Sequence, residues 1–106
     1  MRPPIKLADA TFYKLEAKPN PKPDESYLVS FKIPEFNCVC PMTGLPDFGT
    51  IGIYFAPRNH IVELKSLKLY IVDFRDVGIF HEAVANKIAD DLWDLLNPIW
   101  LRDLFL

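Results

Sequence analysis

Two stretches of the chain alternate apolar and polar residues with a period of two, and a bend rich in proline, threonine and glycine separates them. In SYLVSFKIPEF, Tyr27, Val29, Phe31 and Ile33 share one face while Leu28, Ser30 and Lys32 share the other. In GTIGIYFAP, Ile51, Ile53 and Phe55 oppose Thr50, Gly52 and Tyr54. Successive side chains of a strand point to opposite sides, so each stretch predicts a half-buried strand. Pro34 lacks an amide donor and is expected to end the first one.

The period then changes. After the turn-like PRNH (Pro57 to His60) and a short extended IVEL, Leu67, Tyr70 or Ile71, and Phe74 fall at helical spacing from Ser66 onward, with Gly78 as a stop. In FHEAVANKIADDLWDLL the stripe Phe80, Val84, Ile88, Leu92 and Leu95 or Leu96 keeps i, i+4 spacing, and the acidic residues lie off it. The fold class is therefore α+β, an antiparallel pair with two helices packed on one face. Two strands alone are marginal, and the closing NPIWLRDLFL is apolar. Its side chains must fold back onto the domain or be covered by another subunit.

At 106 residues the chain has the size of one domain. Residues 1–25, which include the proline-rich LEAKPNPKPDES, show no period and are expected to form a mobile arm or a strap, leaving 26–106 as the folded domain. The net charge of -2 gives no bulk electrostatic reason to bind nucleic acid directly. No apolar run could span a bilayer, MRPPIKLADA lacks a signal-peptide core, and the chain reads as cytoplasmic. A disulfide between Cys38 and Cys40 would be badly strained, so both are read as free thiols.

Chemistry concentrates at CVCPMTGLPDF. A thiolate at Cys40 can attack an electrophilic carbon, and an acid at Asp47 can protonate the atom that gains charge, if the bend turns Asp47 to face Cys40. The structural alternative is a small buried cysteine and a turn aspartate. Cys38 is read as packing. A metal centre is not expected, because Cys38, Cys40, His60 and His81 match no common zinc spacing. Lys65 and Lys68, three apart, can hold phosphate oxygens or simply face solvent. His81-Glu82 either opens the last helix with favourable charge or presents a carboxylate to two adjacent N–H donors of a guanine-like ring.

Taken together, PEFNCVCPMTGLPDF, VELKSLKLY and FRDVGIFHE resemble the 7-cyano-7-deazaguanine reductases, nitrile reductases of queuosine biosynthesis. The resemblance runs from about Tyr27 to Pro98, and the family signature is met at every position from Glu63 to Tyr70. It implies that Cys40 forms a covalent thioimide with the nitrile of 7-cyano-7-deazaguanine and that Asp47 donates the proton. It also implies that Val62, Glu63, Leu64, His81 and Glu82 bind the base and that Lys65 and Lys68 lie toward NADPH. The implied fold is the tunnel fold, whose subunits form stacked homo-oligomeric rings with active sites between them.

This chain departs from the family in one respect. Related reductases continue past the last helix into two more strands with an Arg-Gly-Gly stretch, and the sequence to Leu106 is expected to lack that strand pair. Two alternatives follow: an archaeosine-type amidinotransferase acting on the nitrile base in tRNA, or a truncated remnant that binds the base without turnover. A zinc-dependent cyclohydrolase of the same fold lacks its ligands here.

Overall fold

The computed structural model describes residues 3–106. In chain order it contains β1 (Ile5–Lys6), a 3-10 turn (Leu7–Asp9), β2 (Ala17–Pro19), β3 (Val29–Val39), β4 (Pro46–Ala56), β5 (His60–Val62), α1 (Leu64–Val72), β6 (Val77–Gly78), α2 (His81–Leu96) and β7 (Trp100–Phe105). Five strands make one sheet in the order β1-β6-β3-β4-β7, and β2 and β5 make a separate antiparallel pair.

The long β3–β4 hairpin organises everything else. Its register runs from Val29 opposite Phe55 to Val39 opposite Pro46. Pro34 does not end β3. Between Ile33, which faces Ile51, and Phe36, which faces Gly49, two residues of β3 oppose the single Thr50 of β4. That is a β-bulge, and a bulge is where a strand can accommodate a residue without an N–H. It also inverts the alternation. Before it the odd positions Val29, Phe31 and Ile33 face the core, and after it the even positions Phe36 and Cys38 do, both fully buried.

Each helix follows from its sequence. At the start of α1 the Glu63 carboxylate accepts from the amides of Lys65 (2.6 Å) and Ser66 (2.9 Å), a side-chain cap that begins the helix two residues before the apolar stripe suggests. In α2 the stripe Val84, Ile88, Leu92 and Leu96 is completely buried, as its spacing requires. The helix stops where Asn97 turns left-handed at φ 45 and its amide bonds to the Trp93 carbonyl, with Pro98 next. These side chains meet Ile51, Ile53 and Phe55 of β4 in one core.

Both terminal segments of the described residues join the domain. Trp100–Phe105 pairs antiparallel with β4, from Ile51 opposite Phe105 to Ala56 opposite Trp100. Of the two fates expected for the apolar terminal segment, it folds back onto the domain, and it does so as a strand, β7, so the expectation that both strands after the last helix are missing is corrected to one strand present; Asp103 interrupts its apolar face and conceals it in the sequence. Of the two forms expected for the proline-rich arm, the described residues adopt a strap. β2 pairs with β5, β1 runs parallel to β6, and Phe12 packs between Tyr70 and Phe74 with ring centroids 5.5 and 4.7 Å away. Buried Asn20 ties the strap down, donating to the Arg58 carbonyl and accepting from the Lys22 amide and the Tyr27 hydroxyl.

Candidate active site

The closed end of the β3–β4 hairpin is a tight turn. The Cys40 amide donates to the Leu45 carbonyl and the Gly44 amide to the Cys40 carbonyl, both at 2.9 Å. Gly44 sits at φ 72, a conformation that costs a residue with a Cβ. This folding aims donors at the Cys40 sulfur. The Thr43 hydroxyl, helped by the Thr43 and Met42 amides, stabilises the thiolate and holds the Cys40 pKa below its ordinary value, against the opposing effects of desolvation and of the Asp47 charge. Cys38 has the opposite environment. It is fully buried, its thiol donates weakly to the Ile79 carbonyl at 3.5 Å, and burial foremost pushes its pKa up to about 11.

Asp47 does not face Cys40 across the ladder. It lies opposite Cys38, because Pro46 already pairs with Val39 and the turn consumes residues 40–45. The Asp47 carboxylate instead approaches the imidazole of His81 at the start of α2, with Oδ2 3.2 Å from Nε2. The contact is off the line of a hydrogen bond, so Nε2 is buried without an aligned partner. His81 is fixed from its other side by Phe105, whose ring stacks in parallel with it at 4.1 Å. Gly49 makes the room, since a Cβ there would come within 3.0 Å of the Phe105 ring and 3.4 Å of the imidazole.

The remaining expected residues fall into two groups. Glu82 follows His81 in the first turn of α2, and its side chain is exposed. Val62, Glu63, Leu64, Lys65 and Lys68 lie around the start of α1. Leu64 and Lys68 border an open groove of about 470 Å³ floored by Phe31, Ile33, Leu67 and Ile71. From Ile33 to Cys40 is seven residues along an extended chain, on the order of 20 Å. One chain therefore brings Cys40, Asp47, His81 and Glu82 to one end of the hairpin and keeps the second group away from them. Glu63 is a helix cap within its own chain, and the amides of Lys65 and Ser66 hold its carboxyl below the usual range. Val62 is buried in the core.

Sequence reasoning missed three features of this site. Thr43 was legible as a turn residue, although its bonding to Cys40 was not. The His81–Asp47 approach and the His81–Phe105 stack join residues far apart in the chain, and no local pattern signals them.

Comparison with known proteins identifies the class. The profile of the family described as QueF-like protein matches residues 46–103. A protein of Anaeromyxobacter sp. called NADPH-dependent 7-cyano-7-deazaguanine reductase is 54% identical over 88 residues, covering 83% of this chain and 72% of that one. A protein of the same name from Acidithiobacillus ferrooxidans is 55% identical over 89 residues, covering 84% and 63%. Among solved structures, the archaeosine synthase QueF-Like in its apo form shares the fold, with a TM-score of 0.69 at 22% identity over 74% of this chain and 77% of that one. This chain belongs to the QueF-like family.

Proposed function

We propose that this protein reduces the nitrile of 7-cyano-7-deazaguanine to an aminomethyl group at the expense of two NADPH, as a cytoplasmic step toward queuosine in tRNA. The observation that carries the reading is the activated Cys40 thiol, set with Asp47 at one hairpin end in a chain that is 54–55% identical to named reductases over 88–89 aligned residues. The amidinotransferase alternative has only a shared fold behind it.

The chemistry asked of the residues is balanced and ordered. The Cys40 thiolate adds to the nitrile carbon, forming the C–S bond while one C–N π bond breaks toward nitrogen. Asp47 delivers a proton to that nitrogen, giving a thioimide. NADPH, when bound, supplies the two hydrides that convert this carbon to a methylene; the C–S bond breaks after the first, returning the electron pair to Cys40, and Asp47, reprotonated from solvent, gives the nitrogen a second proton with the second hydride. His81 and Glu82 orient the base beside Cys40, with the Glu82 carboxylate accepting from adjacent ring N–H donors. The groove beside α1 fits part of a dinucleotide: its floor is apolar, and Lys68 at its edge offers a cation for phosphate.

The separation of the two residue groups supports an assembly in which a second copy brings Glu63 and the groove to the Cys40 end. Met42, Leu45, Phe48 and Phe80, all large, apolar and exposed, surround that end and fit coverage by a partner. No helix among the described residues is long and apolar enough to cross a membrane.

Intact mass spectrometry after incubation with the nitrile tests the reading. The expected result is a gain equal to the substrate mass in the wild type and in Cys38→Ala but not in Cys40→Ala, together with NADPH oxidation dependent on the nitrile. Absence of both adduct and oxidation would refute it.

A further inference from the structure

Cys38 has no part in the proposed chemistry, yet its sulfur does not sit among apolar groups alone. The Cys38 sulfur, an Asp47 carboxylate oxygen and a His81 ring nitrogen all lie within 4.8 Å of one another. They come from three separate elements: β3, β4 and the first turn of α2. The ladder sets Cys38 opposite Asp47, and His81 approaches from the helix layer. The cluster is invisible to sequence spacing for that reason, and a search for short zinc motifs passes over it.

We propose that Cys38, Asp47 and His81 form a binding site for one divalent ion of borderline softness, with zinc the best match, and that filling it shuts down the reductase. The inhibitory half of this rests on the reading of Asp47 and His81 given above, whereas the binding half does not.

Several features support the site. Cysteine, histidine and aspartate all ligate zinc, and three protein ligands with an open fourth position are an established zinc arrangement. At zinc–ligand distances of about 2.0–2.3 Å, tetrahedral donors stand roughly 3.3–3.7 Å apart. The nitrogen–oxygen pair already stands at 3.2 Å, so the thiol has to close by about 1.3 Å at most, on the same ideal geometry. Buried Nε2 has no aligned hydrogen-bond partner to surrender, and the Cys38 thiol gives up only a long contact to Ile79. A thiolate and a carboxylate together cancel the charge of a divalent ion. The sulfur and imidazole donors disfavour magnesium and calcium, which take oxygen. Asp47 and His81 keep side-chain exposures of 37% and 28%, leaving an entry route from solvent.

An ion held there would take the carboxylate that is to protonate the nitrile nitrogen and the imidazole that is to orient the base. Zinc would then compete with turnover without touching Cys40. Cys38 in this view is a sensor cysteine one residue removed from a catalytic one.

The test is a cobalt(II) titration of the reduced, chelator-treated full chain, read by absorption. The expected result is a thiolate-to-cobalt band saturating at one ion per chain and displaced by zinc. The band should persist in Cys40→Ala, disappear in Cys38→Ala, and need about 10-fold or more cobalt in Asp47→Asn. Circular dichroism of each variant separates loss of ligand from loss of fold, and the Asp47→Asn titration carries the test if Cys38→Ala is unfolded. Zinc should suppress nitrile-dependent NADPH oxidation in the wild type, with recovery on chelation, and spare Cys38→Ala. A wild type without the band, or a band lost in Cys40→Ala and kept in Cys38→Ala, would overturn the site. Cobalt binding in a protein that never turns over would leave the site standing and count against the reductase reading alone.

Discussion

Asp103 should destabilise this fold at neutral pH, and removing its charge should show by how much. The residue lies on β7 between Leu101 and Phe105, opposite the fully buried Ile53 of β4, where an apolar side chain would be expected. One carboxylate oxygen is buried without a partner. Burial foremost, opposed by its own backbone N–H and reinforced by the charge of Asp90, pushes its pKa from 3.8 up to about 6. A carboxyl whose pKa is higher in the folded state binds more protons folded than unfolded between those two values. Stability contributed by this group is therefore present at low pH, falls as pH rises from about 4 to 6, and stays low above that.

Raising the carboxyl pKa from 3.8 to about 6 corresponds to roughly 3 kcal/mol. Asp103 is only half buried, so solvent screening brings the expected cost down to about 1.5 kcal/mol. The perturbation is Asp103→Asn, which keeps the shape and removes the charge, with Asp103→Val as a second variant suited to a strand's covered face. Urea unfolding at pH 7.5 should show each variant more stable than wild type, and the Asp103→Asn gain should shrink toward zero when the same pair is compared near pH 4. Taking the difference between the two proteins at each pH cancels the titration of every other group. An Asp103→Asn gain independent of pH, or a loss at pH 7.5, would refute the assignment of the penalty to a buried charge.

Two further outcomes follow from the packing and the thiols. Phe12→Ala should cost about 2 kcal/mol by urea unfolding and speed proteolysis of the N-terminal strap, because the ring fills the space between Tyr70 and Phe74 and lies 4.5 Å beneath the Lys87 ammonium. Unchanged stability would mean that strand pairing and Asn20 hold the strap without the ring. Brief iodoacetamide treatment of the folded protein should modify Cys40 and spare Cys38, with the Cys40 rate rising through a pH midpoint below that of a free thiol, as peptide mass mapping can check.

Much of this was legible in the sequence where the determinant is local. The stripe of α2 predicted the buried Val84, Ile88, Leu92 and Leu96, though its first member, Phe80, precedes the helix and is exposed, and the two alternating stretches became β3 and β4, because periodicity is a property of neighbours in the chain. The chemistry of Cys40 was legible in part for the same reason, since Thr43 and Gly44 stand within a few residues of it. Most of the misses are products of long-range pairing. β7 was hidden because one aspartate breaks its apolar alternation, and the choice between arm and strap stayed open because β2 finds its partner more than forty residues away. The role of Glu63 as a helix cap was open to sequence reasoning, but the base-binding expectation left it unweighed.

The bulge at Pro34-Glu35 is the feature through which the fold most directly sets the chemistry. A regular strand would have kept the odd residues of β3 facing the core, placing Val39 inside and turning Cys38 away from the helix layer. One extra residue opposite Thr50 reverses this, so Phe36 packs against Phe74 and Phe105 while Cys38 is carried under the start of α2. The strand then ends at Val39, where Gly78 pairs with it on one side and Pro46 on the other, and Cys40 is released into the turn that activates it. Two thiols one residue apart thus acquire opposite properties, one protonated and enclosed beside Asp47 and His81, the other exposed to donors. A proline that reads as a strand terminator is, in the folded chain, the point that divides those two fates.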